Sequence, residues 1–412
     1  MPPDSYAQRK TMAKVALVKC MTYESVEVEA AMKKAVDLLG GAGAYAKRGE
    51  RILFKPNIMQ GRPPDLCVTT HPAIFEAVAK VFKPTHARLC YGDGPAVGGS
   101  LEHLEKAGIR SVAEKLGIEP ADFDNGAQIT HPAGTILKNF IIARGVLDCD
   151  ALISLPKFKT HDLLCITGAV KNQFGCIPGL IKAHYHACLP DAYKFSRFIA
   201  DVTAFVRPRL FIMDAVFAME GNGPQSGDPK NLGCILASTD PVALDAVACK
   251  LINLNPRYVP TCPAGAEAGL GTFAFDDITI LGDDYEKMVD TTFKVVRKPS
   301  RHFSKFTSKL FARKFFERRI AIEAKRCTRC GKCVLICPIA PKALSWKDNG
   351  KKEPPRYDFF RCIRCFCCQE ICPSKAITAN LSFAGTIFAK ITHPLSGDMA
   401  APLMGMKKES HH

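Results

Sequence analysis

The chain has 412 residues, 47% of them hydrophobic and 23% charged, with a formal net charge of +16. That length allows two or three domains with cores of their own. No apolar run reaches the roughly 18 residues of a membrane span, and the opening MPPDSYAQRKTMAK has no signal-peptide core, so a cytoplasmic globular protein is expected.

After a polar segment over 1–12, AKVALVK (13–19) predicts a buried strand, and Val26–Leu39 an amphipathic helix closed by Gly40 and Gly41. RILFKPN (51–57) predicts a second strand, Pro72–Phe82 a helix, ARLCY (87–91) a strand and Leu101–Leu116 a helix. Further strands are expected at 149–155, 209–215, 233–238 and 277–281, with helices at Ala192–Val206 and Pro241–Leu251. This alternation predicts an α/β domain over 13–295, a mostly parallel sheet with flanking helices. Ligands of such sheets bind beyond the strand C-termini. The sequence places Lys55-Pro56-Asn57, Gly92-Asp93-Gly94-Pro95, Lys157 to His161 and Glu220 to Gly227 there.

From Lys294 to Arg326 twelve Lys or Arg face only Glu317 and Glu323, with phenylalanines at helical spacing. A basic helical linker over 296–326 is expected, its apolar stripe packed on the protein, with contact to a membrane surface or an acidic partner as the other use. Residues 381–412 read as a packing tail.

Nine of the nineteen cysteines crowd into residues 327–372. An odd count in a large unsecreted chain argues for metal ligation over disulfides. Cys327, Cys330, Cys333 and Cys337-Pro338 form one C-x2-C-x2-C-x3-C-P motif, and Cys362, Cys365, Cys368 and Cys372-Pro373 repeat it thirty-five residues later. Such tight loops wrap an iron–sulfur cubane, and in two-cluster ferredoxins the cysteine before proline ligates the other cluster. The expectation is two [4Fe–4S] clusters in a small α+β ferredoxin-like domain over 327–380. One would be held by Cys327, Cys330, Cys333 and Cys372, the other by Cys362, Cys365, Cys368 and Cys337. Zinc, the alternative four-cysteine metal, prefers pairs separated by longer loops. Cys367 falls outside the pattern and reads as a buried thiol. Lys325, Arg326, Arg329, Lys332, Arg361 and Arg364 surround the motifs and favour the reduced, more negative clusters.

The larger domain resembles the domain-of-unknown-function 362 family, which often carries a ferredoxin module. The resemblance rests on Lys55-Pro56-Asn57, Thr69 to Pro72, Gly92-Asp93-Gly94-Pro95, PKFKTH (156–161) and GAVKNQFGCIPG (168–179) followed by His184 and His186. DAVFAMEGNGP (214–224) and STDPVALD (238–245) extend it. It implies a fold and an organisation but no reaction.

The Gly92-Asp93-Gly94 turn is a candidate phosphate or cofactor site on free amides, or a tight turn needing glycine. The densest chemistry, from Lys157 to His186, brings Asn172 together with Lys157, Lys159, His161, Lys171, His184 and His186, whose lysines and histidines suit an anionic substrate, proton donation or, for His184 and His186 on an extended segment, a metal. Asp240 before Pro241 reads as a helix N-cap. Asp214 ends an apolar strand without such an explanation, and Cys176 is either reactive or merely buried.

Three functions compete: a reductase passing low-potential electrons from the clusters to a substrate or cofactor in the α/β domain, a dedicated carrier docking to a separate enzyme, and a non-redox regulatory protein with structural or oxygen-sensing clusters. The partner of either redox function would be an acidic electron donor or acceptor protein. Nucleic acid is disfavoured, because no binding motif is present and the basic residues gather in one linker. The first function requires the lysines and histidines to converge on one pocket facing the clusters; the second lets them scatter.

Overall fold

A computed structural model describes residues 12–297, 319–348 and 350–380. Most of the expected linker, residues 298–318, and the expected tail, 381–412, lie outside the described residues. Among the described residues no helix is long and apolar enough to cross a membrane.

β1 (Ala13–Lys19) sends Val15 and Leu17 to one face and Ala16 and Val18 to the other, and all four are buried. Period-two alternation here serves two cores, which is why the strand reads as a continuous apolar run. β2 (Arg51–Pro56), β3 (Arg88–Tyr91) and β4 (Glu119–Pro120) extend the same sheet, whereas β5 (Gly126–Thr130) and β6 (Asn139–Ala143) pair with each other. β7 (Ala151–Leu155), β8 (Lys157–His161) and β9 (Cys165–Thr167) follow, then the long hairpin of β10 (Leu210–Glu220) and β11 (Asp228–Ser238), and finally β12 (Ile278–Gly282). The order across the sheet is β12-β1-β11-β10-β7-β2-β3-β4, with β8 beside β10 and β9 beside β8. Neighbours pair parallel except where β11 meets β1 and β10 and where β9 meets β8.

One face is covered by α1 (Ser25–Asp37), α2 (Pro72–Phe82), α3 (Ser100–Lys106) and α4 (Ile109–Lys115). On α1 the buried residues Val28, Ala31, Met32, Ala35 and Val36 recur at helical spacing. The short α5 (Arg144–Leu147) precedes β7. The other face takes α6 (Ala169–Asn172), α7 (Ile181–Cys188), α8 (Ala192–Val206), α9 (Pro241–Leu251) and α10 (Thr261–Glu267). Phe195, Phe198, Ile199 and Val202 of α8 are fully buried, each contributing about 1.5–3 kcal/mol over an exposed side chain. Asp240 caps α9 by accepting from the amides of Val242 and Ala243 at 2.9 and 2.8 Å.

The structure revises two expectations. The single helix over 101–116 is two, broken at Gly108, whose φ of +73° favours glycine and where a Cβ would meet Pro72 at 3.0 Å. The polar stretch Lys157–His161, expected as a strand-end loop, is itself a fully buried strand.

The cluster module is built from strands Arg319–Ile322 and Ile377–Asn380, which pair with each other, and from a second antiparallel pair, Leu344–Ser345 with Arg356–Tyr357. The α/β body and the described cluster module from Ile320 to Ala379 belong to one compact unit.

Candidate functional site

The two cysteine motifs share a backbone course. Arg329 and Gly331 in the first have φ of +57° and +77°, and Arg364 and Phe366, at the matching positions of the second, have +60° and +59°. Each loop then enters a short helix, Lys332–Ile336 or Cys367–Glu370, which turns the third cysteine inward. Cys327, Cys330, Cys333 and Cys372 line one hollow of about 340 Å³. Cys337, Cys362, Cys365 and Cys368 line another of about 380 Å³. Each hollow thus draws three thiols from one motif and the fourth from the other.

Among the described residues no three His, Cys, Asp or Glu side chains close tightly enough for a single metal ion. Four soft thiols around a hollow instead suit an iron–sulfur cubane. Backbone N–H groups already point at the sulfurs: Arg364 N lies 3.3 Å from Cys362 Sγ, and Ala376 N lies 3.3 Å from Cys372 Sγ. Such bonds stabilise thiolate charge and tune cluster potential. The donor set fits the [4Fe–4S] group.

Beside this module lies a cavity of about 740 Å³ at the C-terminal edge of the parallel strands. Lys159 and His161 reach it from β8, Thr167 from β9, Lys171 from α6, and Lys182 and His186 from α7. Asp93 and Gly94 enter from the turn after β3. The opposite wall comes from the cluster module: Ile336, Cys367, Glu370 and Ile371. These are chain neighbours of the cluster cysteines, and Cys367 lines the Cys337 hollow as well.

Burial dominates the electrostatics. It pushes Lys159 and Lys182 each down to about 7, and also lowers Lys171. Lys159 Nζ donates to Asn57 Oδ1 at 2.7 Å and to the Val68 carbonyl at 2.6 Å. Lys182 Nζ donates to the Ile177 carbonyl and lies 3.5 Å from that of Pro95. Lys171 makes no ion pair among the described residues; its ammonium sits 4.8 Å from the Phe174 ring centroid. Burial alone would raise the Glu370 carboxyl, but His161 first and then Lys171 hold it down at about 2. Three lysines thus face two carboxylates, and one of these, Asp93, is already taken by Lys55 at 2.7 Å.

His161 Nδ1 accepts from the amides of Leu163 and Leu164 at 3.1 and 3.3 Å, which leaves the ring proton on Nε2. Nε2 lies 3.2 Å from Glu370 Oε1. Burial holds His186 down at about 3, so its ring is neutral, packed against Phe195 at 4.2 Å. Asp93 Oδ1 on the cavity wall meets Lys55, and His161 Nε2 meets Glu370 Oε1, as ion pairs, whereas the buried Thr167 Oγ1 and His186 Nδ1 have neither a hydrogen-bond nor an ion-pair partner among the described residues. Each such orphan costs about 1–3 kcal/mol unless something in the cavity satisfies it.

Of the residues singled out from sequence, Lys159, His161, Lys171 and His186 meet in this cavity, and Lys157 and His184 do not. Lys157 is fully buried in an ion pair with Asp214 at 2.9 Å. His184 is on α7, where residues two apart diverge; it is exposed, beside Cys188 Sγ at 3.4 Å, so the extended geometry needed for a shared metal is absent. The Gly92-Asp93-Gly94 turn is no open amide cradle either. Gly92 N donates to the Phe54 carbonyl at 3.2 Å and Gly94 N to the Gly175 carbonyl at 3.1 Å. A Cβ on Gly92 would strike Phe123 at 2.4 Å, so the glycines serve close packing. Cys176 is fully buried, and burial pushes its thiol up to about 12, which makes it inert.

Sequence reasoning missed Lys182, Thr167 and Glu370. Only the approach of α7 to the turn after β3, and of the second cysteine helix to β8, brings them in. Gly175 shows how tightly this is built: a Cβ there would meet Asp93 Oδ1 at 2.0 Å and Lys55 Nζ at 2.6 Å. Gly175→Ala should cost about 2 kcal/mol by overpacking, read as a lower urea midpoint at unchanged slope.

A family model described as Domain of unknown function (DUF362) matches residues 52–250, and one described as a 4Fe-4S dicluster domain matches 326–376. A thylakoid-associated protein of Synechocystis sp. is 33% identical over 277 residues, spanning 67% of this chain and 86% of that protein. An uncharacterized ferredoxin of Methanocaldococcus jannaschii is 34% identical over 58 residues, 14% of this chain and 73% of the ferredoxin. Among solved structures, the lactate racemase apoprotein from Thermoanaerobacterium thermosaccharolyticum aligns with a TM-score of 0.39 and 14% identity over 60% of this chain and 59% of that one. The dicluster match and the ferredoxin likeness support iron–sulfur electron transfer.

Proposed function

Because the chain belongs to the DUF362 family, whose description names no reaction, we propose from the site itself that it is a two-cluster reductase, delivering single electrons to a molecule held between the α/β body and the cluster module. The observation that carries this reading is the shared cavity. Four of the six lysines and histidines singled out from sequence face it, and its far wall is made of residues adjacent to cluster ligands. A dedicated carrier would have no need of that convergence.

Reduced [4Fe–4S] clusters supply one electron each. The chain's own residues do the rest. Lys171 and Lys182 attract and orient an anion, His161 holds a proton at Nε2 beside the cavity, and Ile336 and Ile371 exclude water on the cluster side. Cys367 lines both the cavity and the Cys337, Cys362, Cys365 and Cys368 hollow, whereas no lining residue is common to the cavity and the other hollow, which supports the former as the cluster that delivers to the cavity. Cys330 of the other hollow is exposed, with Lys325, Arg326 and Arg329 exposed around it. That side suits entry of electrons from an acidic donor protein.

The test is anaerobic reduction of the cluster-loaded protein followed by mixing with small-molecule acceptors alone. Reoxidation is expected with some acceptors, and Lys171→Met should slow it about tenfold, since a charge-assisted contact is worth about 1.5 kcal/mol or more. If reoxidation required a partner protein whichever acceptor was offered, the carrier function would replace this one.

A further inference from the structure

We infer that the cavity takes a small organic carboxylate with an apolar body, its head held by Lys171, Lys182 and the Thr167 hydroxyl and its body turned toward the cluster module. The inference rests on the reading of this cavity as the substrate site and names the class of molecule it accepts.

The head must be anionic, because three lysines enter the cavity and only Glu370 among its carboxylates is left without a lysine partner. It must also accept hydrogen bonds, because the Thr167 hydroxyl is 4% exposed and otherwise unpartnered. His186 Nδ1, 3% exposed and also unpartnered, supplies a further polar contact.

A phosphate head is disfavoured by the backbone. Phosphate sites rely on free amides at glycine-rich turns or helix starts. Here the amides of Gly92 and Gly94 bond to carbonyls, those of Ala169 and Val170 at the start of α6 bond to Asp245 at 2.6 and 3.2 Å, and Lys182 N on α7 bonds to the Gly179 carbonyl at 3.3 Å. With the amides at these turns and helix starts taken, side chains are left to hold the head.

The body must be apolar, because Phe174, Ala183, Pro224, Ile336 and Ile371 form much of the remaining wall. A second charged group there would lose its hydration without a partner. The two isoleucines and Cys367 come from the cluster module, and Glu370, the charged residue of that wall, is paired with His161 and would repel an anionic head, so the body, rather than the head, lies on the cluster side.

The test is calorimetric binding of benzoate to the cluster-loaded, oxidised protein, with benzamide and inorganic phosphate as probes of the head and the body. Benzoate is expected to bind at least about tenfold more tightly than either. Lys171→Met and Thr167→Val should each weaken benzoate severalfold or more without lowering the thermal midpoint or altering the cluster spectrum. Equal binding of benzamide, tighter binding of phosphate, or an unaltered benzoate affinity in both variants would overturn the inference. Binding needs no electron flow, so the two readings fail separately. Benzoate binding without reoxidation by any acceptor would sink the reductase and leave the ligand class standing. Reoxidation by neutral acceptors, with no carboxylate bound, would do the reverse.

Discussion

The substitution Cys337→Ser is expected to abolish the cluster held by Cys362, Cys365 and Cys368 while sparing the one built on its own motif. Cys337 lines the hollow of the second motif, and Cys372 that of the first. Iron in the reconstituted Cys337→Ser protein should fall from about eight to about four per chain, because each cubane holds four irons. Electron paramagnetic resonance gives the sharper reading. After reduction, Cys337→Ser and Cys362→Ser should show the same surviving signal, whereas Cys327→Ser and Cys372→Ser should share the other. If Cys337→Ser paired with Cys327→Ser instead, each motif would fill its own site and the crossed ligation would be lost. On the proposed reductase function, Cys337→Ser should also stop delivery to the cavity, since the hollow it empties is the one that shares Cys367 with the cavity wall.

Spacing made those cysteines legible because a cubane's ligands are mostly local. Six of the eight come from two short loops, and the two crossed ones are marked by the proline that follows. The sheet was legible for a similar reason: β1, β10 and β11 are apolar on both faces, and α2, α8 and α9 carry apolar stripes with clear caps. β8 was not. Its sequence, KFKTH, looks like solvent-facing loop, yet every residue in it is buried. Lys157 is neutralised by Asp214, and Lys159 is held by Asn57 and the Val68 carbonyl, partners that no local pattern reveals.

The site divided along the same line. Lys159, His161, Lys171 and His186 were readable because β8, α6 and α7 follow one another in the chain and all contribute to one cavity. Glu370 was hidden among the cluster cysteines, and Lys182 lacked any neighbour to distinguish it. His184 was grouped with His186 by spacing alone. The helical turn of α7 separates them, sending one into the protein and the other to solvent.

Asp214→Ala is expected to lower stability by about 3–5 kcal/mol, the usual result of leaving one member of a buried ion pair behind. Asp214 and Lys157 are both fully buried. Lys157 Nζ donates to Asp214 Oδ2 at 2.9 Å and to the Tyr23 hydroxyl at 2.7 Å, and that hydroxyl donates to Asp214 Oδ1 at 2.8 Å. The His71 amide adds a bond to Oδ2 at 2.9 Å, and the Tyr23 and His71 rings stack with centroids 3.6 Å apart. One carboxylate thus ties β8, β10 and the segments before α1 and α2 together. The double variant Lys157→Met, Asp214→Leu removes both charges and should recover most of the loss, because well-packed apolar pairs often equal buried ion pairs in stability. Denaturant midpoints of the two single variants and the double give the coupling directly. A small stability loss in Asp214→Ala, combined with abolished electron delivery to the cavity, would instead assign Lys157 and Asp214 to the chemistry.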